Sequence, residues 1–336
     1  MQPRHSPRHG LRRLAGLLVA VVLGLARPAA AAATGGELSI AVSRSPLSLP
    51  LFVAQERGFF AAEGLAVKVR ECVGGHRCIQ LMLDDEVALA TSSEMPVMIN
   101  SLQRADFAVV ATFGTSKRDV KVVARRSAGI ARAADLSGKR VATFGGTSAH
   151  YFLDLFLLFN GIDTKAVSTL LITPEQLLPA LAERRVDAVA AFEPFAHRAQ
   201  RMLGADGIVL PSARIYTETF NLSAKRSLVA ARQADLVRLL GALARAQRFI
   251  RDEPREAQAI LRRRLDEDQA YVDATWGDFE YRLTLDQPLV STLEGMARWA
   301  LREGHVPRTS RIPNYLHFVA PEPLRRVAPA AVTLLH

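Results

Sequence analysis

Short runs of hydroxyl-bearing and small residues follow four predicted strands, and these runs are the positions where the sequence could bind a ligand. They lie at residues 45–48, 92–94, 115–116 and 146–148. Each run supplies hydroxyl groups and free backbone N–H groups, and a helix start adds partial positive charge, so the groups suit an anionic or strongly polar small ligand. Helix capping alone explains serine or threonine at one such position, but four runs at successive strand ends favour a binding site.

Glu193 is a further candidate because it follows a predicted strand, precedes Pro194 and is flanked by Phe192 and Phe195. A carboxylate in this place could hold an amine or a ring N–H of a ligand, and a surface turn is the alternative. His150 and Tyr151 fall in the first turn of the helix after the run at 146–148. They could reach a ligand or serve only to pack the helix.

Signatures of catalysis are weak in this chain. It contains no G-x-S-x-G, no H-E-x-x-H and no G-x-x-x-x-G-K-[ST] motif, and these are the arrangements that position nucleophiles, zinc or phosphates. Its eight histidines are scattered. We therefore expect a binding protein rather than an enzyme, with no catalytic residue, no metal ligand and no cofactor.

Cys72 and Cys78 are the only cysteines, and the segment Val-Gly-Gly-His-Arg separates them. The glycines allow the chain to turn back, and two nearby cysteines in an oxidising compartment usually pair, which favours a disulfide. A metal site formed with His76 lacks a fourth ligand and the usual zinc spacing. Free thiols are the third possibility.

Strand and helix patterns alternate along most of the chain, which predicts a mostly parallel sheet covered by helices. Strands are predicted at residues 37–42, 66–71, 87–91, 107–113, 120–124, 140–144, 167–172, 186–192 and 219–224. The helix after the first strand is predicted to begin with Ser48 as its N-cap and to run to about Phe60. Ligands of such α/β sheets bind beyond the carboxyl ends of the strands, which is where the hydroxyl-bearing runs lie.

The chain has 336 residues, is 49% hydrophobic and carries a net charge of +10, which predicts a globular protein of about two domains and excludes a disordered chain. Residues 1–33 contain Arg4, Arg8, Arg12, Arg13 and Arg27 and no acidic residue. An uncharged apolar run at 14–26 and small residues at 29–33 complete the pattern of a cleaved signal peptide, exported by the Sec or the Tat route. The charge that remains is modest and dispersed, so we expect no nucleic-acid partner.

Three segments read PLFVAQERGFFAAEGLAVKV, LSGKRVATFGGTSAHYFLDLFLLFNGID and LPALAERRVDAVAAFEPFAHRA. In this order they resemble the periplasmic solute-binding proteins of ABC importers for nitrate, aliphatic sulfonates, taurine, bicarbonate and pyrimidine thiamine precursors. The resemblance covers residues 37–330. It implies an α/β, two-lobed periplasmic-binding-protein fold of type II with a ligand cleft between the lobes.

The resemblance also implies how the chain is divided. Residues 34–120 and 218–336 would form one lobe and residues 121–217 the other, with crossovers at 120–124 and 219–224. The pocket segments of the family fall on the runs described above. The implied ligand-binding residues are Ser45, Ser48, Leu49, Ser92, Ser93, Glu94, Thr115, Ser116, Gly146, Thr147, Ser148, Ala149 and Glu193.

The function implied by the resemblance is that of a periplasmic monomer which closes on a small polar ligand and delivers it to an ABC permease with its ATPase. The ligand would be a sulfonate, nitrate, a taurine-like molecule or a pyrimidine-type molecule. No pocket position carries an arginine or lysine clamp, whereas Glu94 and Glu193 would repel an anion and suit a zwitterion or an amine-bearing molecule. An exported ligand sensor for a membrane receptor and a biosynthetic enzyme on the same fold are the alternatives, and the export signal argues against the enzyme.

Overall fold

The computed structural model describes residues 36–212 and 214–335, which form a mixed α/β structure built on two larger β-sheets. The predicted signal peptide at residues 1–33 lies outside the described residues. Within the described part of the chain, none of the helices combines the length and the apolar character that crossing a bilayer requires.

The strands follow the apolar segments of the sequence. They are β1 (Leu38–Ser43), β2 (Val67–Cys72), β3 (Leu89–Ser93), β4 (Phe107–Ser116), β5 (Lys121–Arg125), β6 (Arg140–Phe144), β7 (Ser168–Ile172), β8 (Ala188–Ala191), β9 (Gly207–Val209), β10 (Glu218–Lys225), β11 (Phe279–Glu280), β12 (Leu285–Asp286) and β13 (Val332–Thr333). The nine predicted strands correspond to β1–β8 and β10, with bounds that differ by a few residues at most. The short strands β9 and β11–β13 were not predicted.

The helices alternate with the strands and then dominate the C-terminal third. They are α1 (Leu49–Glu56), α2 (Phe59–Ala62), α3 (Gly75–Leu83), α4 (Glu94–Ser101), α5 (Ser148–Phe159), α6 (Leu177–Ala182), α7 (Phe195–Leu203), α8 (Arg226–Ala231), α9 (Gln233–Asp252), α10 (Pro254–Leu265), α11 (Gln269–Thr275), α12 (Gln287–Arg302) and α13 (Glu322–Val327).

The first sheet has the strand order β11-β4-β10-β3-β1-β2. Strand β1 pairs in parallel with β2 and β3, whereas β10 pairs antiparallel with β3 and β4. Strand β3 is buried throughout, and β4 and β10 nearly so, as expected for strands covered on both faces. The edge strand β2 has no fully buried residue.

The second sheet has the strand order β7-β6-β8-β5-β9. Strand β6 pairs in parallel with β7 and β8, and β5 pairs antiparallel with β8 and β9. Helix α5 packs against β6 and β8, and helix α7 packs against β5, β8 and β9. The central strand β8 is fully buried while the edge strand β7 is mostly exposed, so the core of this sheet lies around β6 and β8.

The chain passes between the two sheets twice, at neighbouring places. It leaves the first sheet after Ser116, the end of β4, and returns at Glu218, the start of β10. These two residues are paired in the antiparallel ladder of β4 and β10. The two crossovers therefore lie side by side, and residues on them are brought close together although about a hundred positions separate them in the sequence.

The helix predicted from Ser48 to Phe60 is divided in the structure. Ser45 caps a 3-10 turn, Pro46–Ser48, by accepting a hydrogen bond from the backbone N–H of Leu47 at 3.2 Å. Helix α1 then ends at Glu56, because Gly58 adopts a left-handed conformation with φ of 68° and terminates the helix before Phe59. Ser48 occupies the N-cap position of α1, but its side chain makes no capping hydrogen bond.

Candidate ligand-binding site between the two sheets

A small cavity lies between the two sheets, beyond the carboxyl ends of β1, β3, β6 and β8. It is lined by Ser43, Ser45, Gly75, His76, Ser93, Pro96, Asp119, Thr147, Ser148, Phe192, Glu218 and Phe220. Its volume is about 20 Å³, which is enough for about one water molecule. The two sides of the cleft are therefore closed on each other, in the position where parallel α/β sheets bind their ligands.

A larger recess of about 1020 Å³ borders α9 and β11. It is an open groove whose lining contains none of the residues at the carboxyl ends of β1, β3, β6 and β8. The enclosed cavity is therefore the better candidate for a ligand site.

Two acidic side chains from the two crossovers meet at the cavity. Asp119 lies between β4 and β5, and Glu218 begins β10. Glu218 accepts a hydrogen bond from Ser148 Oγ at 2.7 Å. One oxygen of each carboxyl group, Asp119 Oδ1 and Glu218 Oε2, is buried. The two carboxyl groups are in hydrogen-bond contact with each other, and both side chains border the cavity.

Burial controls the protonation of this acid pair. It raises the pKa of Asp119 to about 7 and raises the pKa of Glu218 well above its ordinary value, with the repulsion of Asp119 acting in the same direction. Two carboxyl groups this close share a proton, since both cannot ionise at little cost. Among the residues that line the cavity there is no arginine or lysine, and the Lys121 ammonium lowers the pKa of Asp119 only as a secondary effect from outside the lining.

Glu94 lies at the start of α4 and is fully buried, but donors from the protein already occupy its carboxylate. The Tyr216 hydroxyl donates to one oxygen, and Thr219 donates to the other from its backbone N–H at 3.1 Å and its hydroxyl at 3.2 Å. Burial raises the pKa of Glu94 to about 7. These contacts tie the start of α4 to the second crossover, and Glu94 does not line the cavity.

Glu193 is also buried, and here a cation is present. The Lys121 ammonium donates to Glu193 at 2.7 Å and to Asp278 at 3.1 Å. Burial lowers the pKa of Lys121, but Glu193 and Asp278 more than offset this, so the pKa lies above its ordinary value. The Glu193 carboxylate also accepts from the backbone N–H of His197 at 3.2 Å. It thus joins β5 to α7 instead of facing the cavity.

His76 enters the cavity from the first turn of α3, and the disulfide helps to place it. Cys72 and Cys78 are joined in a disulfide, which links the end of β2 to α3 around the turn at Gly74. A side chain at Gly75 would come within 2.6 Å of the Ser92 backbone, so glycine permits the close approach of α3 to β3. His76 Nδ1 is buried without a partner, and burial and the nearby Arg77 lower the pKa of the imidazole.

Aromatic rings form the apolar part of the lining. Phe192 packs on Phe144 with ring centroids 4.9 Å apart, and Phe220 meets Phe113 edge to face at 5.6 Å. Each ring is thereby held by a neighbour in the core of its own sheet. The cavity thus combines two fixed aromatic walls with a buried acid pair and several hydroxyl groups.

The predicted site residues divide into two groups. Those that line the cavity are Ser45, Ser93, Thr147 and Ser148. Those that do not are Ser48, Leu49, Ser92, Glu94, Thr115, Ser116, Gly146, Ala149 and Glu193. Leu49 and Ala149 are core residues, Ser48 and Ser92 have buried hydroxyl groups without a partner, and the Ser116 hydroxyl donates to the Asp278 carbonyl at 2.7 Å.

Sequence reasoning missed several lining residues, of which Asp119, Glu218 and His76 have titratable side chains. Asp119 and Glu218 each stand immediately before a predicted crossover strand, and that position was the available signal. His76 lies between the two cysteines and was considered only as a metal ligand.

Solved structures with this architecture define the class of fold. The periplasmic aliphatic sulphonate binding protein SsuA from Escherichia coli matches with a TM-score of 0.73 and 17% identity, over 85% of this chain and 98% of that chain. The periplasmic nitrate-binding protein NrtA from Synechocystis PCC 6803 matches with a TM-score of 0.70 and 15% identity, over 89% of this chain and 90% of that chain. The fold is therefore the predicted two-lobed periplasmic-binding-protein fold.

The chain belongs to the NMT1/THI5-like family, whose family model matches residues 45–257. No match was found among curated protein sequences. An enzyme shares the fold too: the desulfurization enzyme DSZB matches with a TM-score of 0.63 and 16% identity, over 88% of this chain and 99% of that chain. The fold alone therefore does not decide between binding and catalysis.

Proposed function

We propose that this chain is an exported solute-binding protein that captures a small polar ligand with a nitrogen-based cation or hydrogen-bond donor, such as an amine, an amidine or an amino-substituted heterocycle. The buried pair of Asp119 and Glu218 is the observation that carries the proposal. Both side chains line the cavity, where no arginine or lysine accompanies them, and a ligand nitrogen would donate hydrogen bonds to the pair.

The charge of the site argues against an anionic ligand. A sulfonate or nitrate would meet two acidic side chains and, in the lining, no arginine or lysine. Like charges held apart from water repel strongly, so an anion would bind only if both acids took up protons from solution or moved away. A cationic or N–H-bearing ligand instead completes the hydrogen bonds of the acid pair.

The shape of the lining favours a flat ligand. Phe192 and Phe220 present aromatic surface to the cavity, and aromatic faces attract both planar rings and cations. Ser45, Ser93, Thr147 and Ser148 add hydroxyl groups at the strand ends, and we propose that they position the polar edge of the ligand. An aminopyrimidine combines all the required properties.

Ligand entry requires the two sides of the cleft to separate, because a cavity of about 20 Å³ is too small for any ring. We propose lobes at residues 34–120 with 218–336 and at residues 121–217, which move about the two crossovers. Asp119 and Glu218 lie on those crossovers. A ligand that bridges them would favour the closed form over the open form by its differential contacts.

The location and partners belong to the same proposal. Residues 1–33 have the pattern of a signal peptide, and the structural neighbours SsuA and NrtA are periplasmic binding proteins. We propose that the mature protein works in the periplasm and delivers its ligand to an ABC permease. A sensor role would instead require the closed form to bind a receptor.

Titration calorimetry tests the ligand class. An aminopyrimidine or a small amidine should bind, while methanesulfonate and nitrate should give no heat of binding. Glu218→Gln should weaken binding of the amine-bearing ligand by at least about 30-fold. The matched control Glu280→Gln alters an exposed glutamate on β11 and should leave the affinity unchanged.

Two results would overturn the proposal. The first is tighter binding of a sulfonate or nitrate than of every nitrogen-bearing candidate. The second is chemical conversion of the bound ligand, since a binding protein returns its ligand unchanged. Mass spectrometry of the ligand recovered after prolonged incubation makes that measurement.

A further inference from the structure

Two histidines and one aspartate converge beside α5, outside the candidate ligand-binding site. His150 and Asp154 are separated by one turn of α5, so both project from the same face of that helix. His305 follows the end of α12. One ligand atom from each of the three side chains lies within 4.8 Å of the other two.

The surroundings of this cluster hold its members in place. Asp154 Oδ2 accepts a hydrogen bond from Trp299 Nε1 at 2.9 Å, and His305 Nε2 lies 3.9 Å from the same oxygen. The rings of His150 and His305 have centroids 4.5 Å apart, and both contact Trp299. The indole thus fixes the carboxylate from outside, which is the role that outer partners have in metal sites.

The cluster joins elements that belong to different sheets. Helix α5 packs on β6 and β8 of the second sheet, whereas α12 packs on α4, which follows β3 of the first sheet. A ligand held by His150, Asp154 and His305 would therefore bridge the two sides of the cleft. The helix α5 that carries two of these side chains also begins with Ser148, which contacts Glu218 in the candidate ligand-binding site.

Two imidazoles and one carboxylate are a ligand set for first-row divalent metals. Zinc takes three protein ligands of this kind at about 2.0–2.1 Å and keeps a fourth position for water or another molecule. A neighbouring cavity of about 150 Å³, lined in part by Met95, Ile99 and Leu171, leaves room for that fourth ligand. Binding would draw the side chain of His305, which reaches solvent, inward toward α5.

We propose that His150, Asp154 and His305 form a binding site for Zn²⁺ or a similar first-row divalent cation that links the two sides of the cleft. The cation would stabilise the closed arrangement of the two sheets, because it binds only where all three side chains meet. Ring packing on Trp299 and the hydrogen bond from Trp299 Nε1 to Asp154 would hold the same three side chains without a metal, and metal titration separates the two explanations.

Metal titration tests the site without any small-molecule ligand. After removal of metals with a chelator, the purified protein should bind one Zn²⁺ per chain in calorimetry. With Co²⁺ in place of zinc it should show visible absorption bands of a cobalt ion bound to nitrogen and oxygen. Absence of both signals would overturn the proposal independently of the ligand class proposed above.

Variants on the two sides of the cleft test whether the metal bridges them. His305→Gln and Asp154→Asn should each weaken Zn²⁺ binding by at least about tenfold, while His317→Gln, a change at an exposed histidine outside the cluster, should not. Loss in Asp154→Asn with unchanged affinity in His305→Gln would show a site on α5 alone and reject the bridge. Should a variant melt early, the Co²⁺ spectrum of the unaltered protein remains as the independent readout.

Discussion

Two pairs of buried acidic side chains near the crossovers differ in whether a cation accompanies them. Glu193 and Asp278 both contact the Lys121 ammonium, at 2.7 Å and 3.1 Å. Asp119 and Glu218 are equally buried, at 3% and 4% exposure, yet the lining of their cavity contains no arginine or lysine. The two groups are nearby, since Asp119 feels the charges of both Glu193 and Lys121.

All four residues are aspartate or glutamate, so residue type does not distinguish them. The presence or absence of a cation indicates which acids hold the structure together and which could bind a ligand. A buried carboxylate that already contacts a cation and hydrogen-bond donors gains little from a further donor on a ligand. A buried carboxyl pair without a cation is a local cost to the folded state, which a ligand nitrogen would offset. Both groups lie near the crossovers, so the contrast is also one between contacts that hold the crossovers together and the surface where we propose that the ligand binds.

The largest change in stability is expected from removing Lys121, the cation that Glu193 and Asp278 share. Lys121→Met leaves Glu193 and Asp278 buried without their shared ammonium, so the free energy of unfolding should fall by about 3–5 kcal/mol. Denaturant unfolding monitored by circular dichroism measures it. Lys68→Met is the matched control at an exposed lysine of β2 and should change stability by less than about 0.5 kcal/mol. Similar small losses in both variants would contradict the assigned role of Lys121.

Neutralising an acid should have opposite signs in the two groups. Glu218→Gln removes a buried carboxyl that no cation contacts and keeps an oxygen for Ser148, so stability at pH 8 should rise. Glu193→Gln should lower stability, because Lys121 then keeps only Asp278. The same unfolding measurement serves both variants. Destabilisation of comparable size in the two would remove the distinction between the groups.

The pH dependence of stability should report the uncompensated group. The pKa of Asp119 is about 7 in the folded protein, against an ordinary value of 3.8. Between these values the folded form holds a proton that the unfolded chain has released, so stability falls as pH rises from 5 to 8. Glu94, with a pKa of about 7, acts in the same direction.

The slope attributable to Asp119 should approach about 1 kcal/mol per pH unit near pH 6. Urea unfolding at pH 5, 6, 7 and 8 gives the slope for the unaltered protein and for Asp119→Asn. The variant should lose part of the slope and retain the contributions of Glu94 and Glu218, whose pKa values are also raised. Parallel curves would show that Asp119 keeps an ordinary pKa in the folded protein.

A structural feature can be predicted from the sequence when neighbouring residues determine it, and not when it depends on a partner far away in the chain. Strands β6 and β8 are short apolar runs between turn residues, so their positions follow from local pattern alone. Strand β11 has two residues, Phe279 and Glu280, and exists because β4 offers an edge there. A local pattern cannot reveal a strand that depends on its partner.

The candidate site shows the same limit. Thr147 was predicted from its place before a helix, and it both caps α5 and lines the cavity. Ser116 gave a similar local signal but binds the Asp278 carbonyl. The pairing of Asp119 with Glu218 arises from two crossovers far apart in sequence, so neither residue signals the other. Burial without a cation is a tertiary property that only the folded structure reveals.

The smallest change in stability is expected for an ion pair at the surface, in which an acid also has its cation. Arg77 of α3 donates two hydrogen bonds to Glu175, which follows β7, at 2.7 Å and 3.0 Å. The side chains are 41% and 55% exposed, so solvent screens the pair and Glu175→Gln should change stability by less than about 1 kcal/mol. Arg77 and Glu175 belong to opposite sides of the cleft. Loss of this ion pair should therefore make the cleft easier to open, although it changes stability little.

Ligand dissociation measured by stopped flow should therefore become about 2- to 5-fold faster in Glu175→Gln, in line with a few tenths to 1 kcal/mol of closure energy. Glu183→Gln is the control, since Glu183 pairs with Arg185 on the same side of the cleft, at 2.8 Å and similar exposure. It should leave the dissociation rate unchanged. Raising the ionic strength should reduce the difference between the two variants, because screening weakens the Arg77–Glu175 contact in the unaltered protein. Equal rates for both variants at low salt would show that the closed cleft depends on its buried contacts alone.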